Sequence, residues 1–209
     1  MQLFCTVCLC LGLLIASGVV ASQTVKPPVT KTPAKQGPTL IEADTLIGNP
    51  QVEMDLTGKA EVKRDKTRIT SSTLHIDVLN DTVSTNAGAV LYRDKDILSA
   101  STLLFNMTSH EAMLTAPKFF YAKQNGRGEA DTMRTDAQRH DFFDKVIYTT
   151  CKPGQNDWYL KAKTLELDHT TETGYGKSVA LEFFGVPIMA LPAMSFPLGN
   201  ARRDRKSVV

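Results

Sequence analysis

An all-β chain built on a repeated bent hairpin is what this sequence predicts, on three observations. The segment AEVKRDKTRITSSTLHID at residues 60–77 returns as AVLYRDKDILSASTLLFN at residues 89–106, a shift of 29 with seven of eighteen positions identical. Within both copies apolar residues alternate with a period of two, the period of a strand that buries one face. After residue 21 no long apolar stripe of period 3.6 interrupts this pattern. A recurring unit of such length marks a stacked array.

Each copy reads as a hairpin. Arg-Asp-Lys at 64–66 and again at 93–95 is a polar turn between a strand ending near Val62 or Leu91 and one starting near Ile69 or Leu98. The apolar parity then slips at the same place: Ile69 and Ser71 give way to Leu74 and Ile76, and Leu98 and Ala100 to Leu103 and Phe105. A two-residue period changes phase only at a bulge or a corner. Two geometries satisfy this, one twisted sheet with an ordinary bulge or a strand bent midway so that the chain feeds two facing sheets; the bent form is the expectation. LKAKTLELD at 160–168 repeats the slip at a shift of 91, through Leu160 and Ala162, then Leu165 and Leu167, and Glu-Ala-Asp-Thr at 42–45 recurs at 129–132.

In chain order, residues 1–21 end in an almost wholly apolar run closed by Val19-Val20-Ala21, which reads as an export signal, although no Lys or Arg precedes the run and an uncleaved anchor has the same composition. Cys5, Cys8 and Cys10 lie inside it, so their spacing is a poor redox or metal signature. Cys151 is then the one cysteine of an exported chain; it either pairs outside the chain or is a buried thiol. Residues 22–39, with Pro27, Pro28, Pro33 and Pro38 among Lys and Thr, read as an extended linker. Residues 40–200 read as one β domain, and a chain of 209 residues with 42% apolar composition is large enough for a core. Pro187, Pro192 and Pro197 exclude a central strand from its last apolar run, which is expected at an edge. Residues 201–209 form a basic tail.

Nothing points to catalysis. His75, His110, His140 and His169 have no metal-ligand spacing, and a net charge of +2 gives no nucleic-acid footprint. Gly126-Arg127-Gly128 and Gly174-Tyr175-Gly176 lack the rest of a dinucleotide fingerprint and read as turn glycines. No cofactor or metal is expected, and the chain does not read as an enzyme.

From residue 148 the order YTTCKPG, DWYL with TLELD, FFGVPIMALPAMSFPL and a closing Arg-Lys-Ser run resembles the end of the periplasmic region of the lipopolysaccharide-assembly family, also called LptD or OstA. The 29-residue repeats resemble the OstA-like β-jellyroll that this family shares with the periplasmic bridge proteins of the same pathway, and the likeness covers roughly residues 40–207. It implies a periplasmic or outer-membrane location in a Gram-negative cell and lipopolysaccharide as ligand. A periplasmic bridge protein would pair with the edge near residues 40–54, and an outer-membrane lipoprotein would join only where a barrel is present. In the family Arg-Lys-Ser is followed by a long barrel, whereas this chain reads Val208-Val209, so truncation before the barrel is the expectation; the residue matching Cys151 forms a disulfide with C-terminal cysteines there. Ile69, Leu74, Ile76, Leu98, Leu103, Phe105, Leu165 and Leu167, apolar at one repeat position after another, are the expected lining of an acyl-chain groove. Lys152 is expected to favour the Cys151 thiolate. The competing readings are a self-contained structural or adhesive β-solenoid and a bridge component.

Overall fold

A computed structural model describes residues 37–155 and 157–198. Sixteen antiparallel strands run from Leu40 to Pro197: β1 (Leu40–Glu42), β2 (Thr45–Asn49), β3 (Glu53–Arg64), β4 (Thr67–Asp77), β5 (Thr82–Thr85), β6 (Ala89–Arg93), β7 (Asp96–Ala100), β8 (Thr102–Asn106), β9 (Ala112–Thr115), β10 (Lys118–Tyr121), β11 (Gly126–Glu129), β12 (Thr132–Thr135), β13 (His140–Thr149), β14 (Trp158–Asp168), β15 (Thr173–Phe183) and β16 (Val186–Pro197). The signal and basic-tail readings, and Cys5, Cys8 and Cys10, lie outside the described residues, as does all but the end of the linker.

The register resolves the choice between a bulged sheet and two layers. The strands form one hydrogen-bonded sheet, but it is folded along a corner. In β4, residues 67–71 pair with β6 while residues 75–77 pair with β5. In β13, residues 147–149 pair with β11 and residues 141–144 with β12. One layer therefore runs through β1, β6, β7, β10 and β11, the other through β2, β5, β8, β9 and β12, and the long strands β3, β4, β13, β14, β15 and β16 pass through both. Rings meet between the layers: Phe119 of β10 lies 4.7 Å from Phe143 in the first half of β13, and Tyr148 lies 6.2 Å from Phe196 of β16.

The parity slip is the corner itself. Ile69 and then Leu74 and Ile76 are all buried, as are Asp141 and Phe143 followed by Val146 and Tyr148, and Leu160 and Ala162 followed by Leu165 and Leu167. β3 keeps its numerical parity because it carries one extra residue there, residues 57–60 standing opposite 71–73. Left-handed backbone supplies the bend on alternate passes, at Gly58, Lys59, Gly88, Ala116, Lys145 and Ser178. At Gly58 a Cβ would lie 2.5 Å from the Asp44 carboxylate, so only glycine fits. The two Glu-Ala-Asp-Thr copies both occupy corners: the Asp44 amide donates to the Gly58 carbonyl at 2.8 Å, and the Asp131 amide to the Asp144 carbonyl at 3.0 Å.

Turns line up along the side opposite the corner, in one row per layer. The predicted Arg-Asp-Lys turns belong to the first row, with Asp65 and Asp94 at φ 52° and 58°. The last residue of each repeat caps a turn of the second row: Asp77 accepts the Asn80 amide, Asn106 those of Thr108 and Ser109, and Asp168 those of Thr170 and Thr171. Among the described residues the ends of the array are open: β1 and β2 pair only with β3, and β16 pairs only with β15, with Pro187, Pro192 and Pro197 on this edge strand as expected.

Candidate functional site

The apolar interior between the layers is the first part of the site. Ile69, Leu74, Ile76, Leu98, Leu103, Phe105, Leu165 and Leu167 all point into it, and none is more than 7% exposed. They pack in one continuous cluster with Leu56, Val62, Leu114, Met133 and Phe143. The sequence-derived set is thus brought together, filling the space between the layers with its own side chains.

The second part is the seam where the two rows of turns face each other. Arg64, at the end of β3, reaches across to Asp81 in the β4–β5 turn and holds both carboxylate oxygens, Nη2 to Oδ1 at 2.7 Å. Its repeat mate Arg93, one hairpin later, reaches across with Nη2 to a single oxygen, Oδ2 of Asp141 in β13, at 3.1 Å. Lys123, in the β10–β11 turn, meets Glu172 in the β14–β15 turn. Cations of the first layer therefore meet carboxylates of the second along the open side.

Asp141 is the centre of this seam. It is fully buried, and its Oδ2 accepts from Arg93 and the Tyr121 hydroxyl and faces His169 Nε2 at 2.6 Å, while Oδ1 accepts from the Thr135 hydroxyl at 2.6 Å. Burial pushes its pKa up, but the Arg93 guanidinium and hydrogen bonds from His169 and Thr135 outweigh burial and hold the carboxyl well below its usual range. Burial followed by the Asp141 charge drives the Tyr121 phenol well above its ordinary value, so it stays a donor. A buried charge with this many partners is tolerated where an unpaired one is not. The sequence does not mark out Asp141, Tyr121 or Thr135, and it offers His169 only as one of four scattered histidines. The signal was there in HDFF, where Asp141 shares the parity of the buried Phe143.

Both Gly-x-Gly motifs lie in strands, which corrects their reading as turns. A Cβ at Gly126 would lie 2.5 Å from the Tyr148 hydroxyl, and one at Gly128 would lie 2.1 Å from the Ile147 carbonyl oxygen. In β15, Gly174 lies under the Phe196 ring and Gly176 under Val179. These glycines let backbone and rings approach closely. Between the first two, Arg127 holds the loop after β13, Nε donating to the Cys151 carbonyl at 2.9 Å and Nη2 to those of Lys152 and Gln155. Cys151 is half-buried and makes no disulfide among the described residues. Its thiol is drawn below its ordinary pKa by hydrogen bonding with Thr149, ahead of an opposing burial effect, and by the Trp158 and Asp157 amides.

Known proteins give the following likenesses. No protein-family model matches the chain. The LPS-assembly protein LptD of Nitrosomonas europaea is 29% identical over 198 residues, 95% of this chain and 27% of that protein. The protein of the same name in Cupriavidus necator is 30% identical over 197 residues, 91% of this chain and 23% of that protein. This chain spans about a quarter of the length of such relatives. Among solved structures, LptH of Pseudomonas aeruginosa, described as the LptA-homologous periplasmic component of the lipopolysaccharide transport device, is 19% identical with a TM-score of 0.41, over 49% of this chain and 78% of that one.

Proposed function

We propose, for a chain similar over nine-tenths of its length to LPS-assembly proteins named LptD, that it is the jellyroll segment of such an assembly system and sheathes lipopolysaccharide acyl chains between its two layers. The apolar interior running unbroken through the corner, from Ile69 to Ile76 and from Leu98 to Phe105, carries this reading. Because that interior is already filled, acyl chains enter by parting the seam opposite the corner, where charged side chains rather than backbone join the layers. Each methylene moved from water into it contributes about 0.8 kcal/mol toward offsetting that separation. The role works in the periplasm or at the outer membrane and needs no catalytic centre or cofactor.

The bridge protein docks on the β1–β2 edge. That strand pair is exposed throughout except Ile41, and carries Leu40, Leu46 and Ile47 on the surface, as a strand-adding partner requires. Met54 belongs to the inner strand β3 and is no part of this edge. Cys151 is the segment's disulfide cysteine, its partner lying outside the chain; alkylation of the native protein by a small reagent tests this, an unreactive thiol without a mixed disulfide counting against it.

A structural array filled by its own side chains is the second reading, favoured by the near-complete burial of those eight residues. Lipid capture separates the two. A photo-crosslinking side chain at Phe105 labels lipopolysaccharide under the first reading, and labelling no stronger than at exposed Lys66 establishes the second.

A further inference from the structure

We infer that a cavity of about 420 Å³ astride the seam is a binding site for a phosphate group, taken from the head of the amphiphile whose tails enter the interior. Lys66, Arg93 and Asp94 line it from the first row of turns, and His110 and Arg139 from the second. Arg93 carries the argument. Its Nη2 is committed to Asp141, whose oxygens also serve Tyr121, His169 and Thr135, so that carboxylate is saturated. Arg93 Nε is left buried with no hydrogen-bond partner, the one such side-chain atom among the described residues. A guanidinium donor so placed lacks an acceptor, and an oxyanion in the cavity that Arg93 lines supplies one when the guanidinium turns its Nε edge toward it.

Three cations reach the cavity, Lys66 and Arg93 from the first row and Arg139 from the second, beside the carboxylates of Asp65 and Asp94; Asp94 is paired with Lys66 at 3.3 Å and Arg93 with Asp141. The His110 imidazole is lowered by burial first and then by Arg93 and Arg139, against a smaller pull from Asp65. A volume of this size holds a phosphorylated sugar. Its place at the seam sets a head there while acyl chains pass between the layers. This deepens the lipid reading proposed above and rests on it for the source of the phosphate.

The test uses the full chain, following the Arg93 Nε–Hε and His110 ring signals by NMR. Inorganic phosphate shifts both saturably, and Arg139→Gln or Lys66→Gln weakens binding roughly ten-fold, one charge-assisted hydrogen bond. Lipid A carrying its phosphates loses affinity by the same factor in these variants, while dephosphorylated lipid A does not. Shifts no larger than those in chloride of equal ionic strength overturn the site. Phosphate binding with equal affinity for both lipids overturns the lipid head as its source. Phosphate binding without uptake of either lipid also overturns that source and fails the lipid reading, leaving the anion site standing.

Discussion

Asp141 concentrates the chemistry of the seam, and its loss should be felt first in stability. Asp141→Asn leaves Arg93 buried without its counter-charge, a change expected to cost about 3–5 kcal/mol in urea unfolding, against under 1 kcal/mol for a rim pair such as Lys66 and Asp94. The folded carboxyl lies below its unfolded value of about 4, so its contribution is complete above that pH and is lost as the solution is acidified further. The stabilities of wild type and Asp141→Asn should therefore stay apart above about pH 4 and draw together progressively as the pH falls below it. The tyrosines act in the opposite sense: burial raises Tyr148 to about 12, so stability present below pH 10 is lost as the pH climbs to that value, and Tyr148→Phe should flatten the alkaline limb. Single residues were where the sequence was hardest to read. The Gly-x-Gly motifs carry no local sign of the rings above them, because Tyr148 and Phe196 arrive from strands some twenty residues away, whereas the turn aspartates announced themselves through the repeat.

Elements were read more fully, because the bend leaves a mark in the sequence. A strand that stays buried on both sides of a corner changes parity unless an extra residue absorbs the step, as in β3, and it changes in β4, β13 and β14; the edge position of β16 followed from its prolines for an equally direct reason. What the period could not give was the backbone that makes the corner, since Lys59, Lys145 and Ser178 are ordinary residues held at φ 46°, 48° and 49°. Ser178 is the cleanest place to test it, being free of a described ion pair. Ser178→Gly should be tolerated, whereas Ser178→Val, β-branched in left-handed backbone, should cost about 1–3 kcal/mol. Equal effects of the two substitutions on the urea midpoint would show that the corner is not strained there. On the outer edge, proline at an outward-facing amide of β2 should abolish co-purification with a bridge protein and leave the fold intact; unchanged co-purification would argue against docking at this edge.

At the scale of the molecule, a folded sheet has one side made of backbone and one made of side chains. The corner is held by continuous ladders in β3, β4, β13, β14, β15 and β16, and the seam by Arg64 with Asp81, the Asp141 cluster and Lys123 with Glu172. A parting of the layers is least opposed at the seam, and under the function proposed above this is where acyl chains enter on their way to Phe105. The most direct measurement carries Arg64→Cys and Asp81→Cys in a background with the native cysteines replaced by serine, the two thiols joined by a short reducible bis-maleimide, and a photo-crosslinker at Phe105. With the bridge in place lipopolysaccharide labelling should fall to the level seen at Lys66, and reduction should restore it. Full labelling of the bridged protein would contradict entry through the seam.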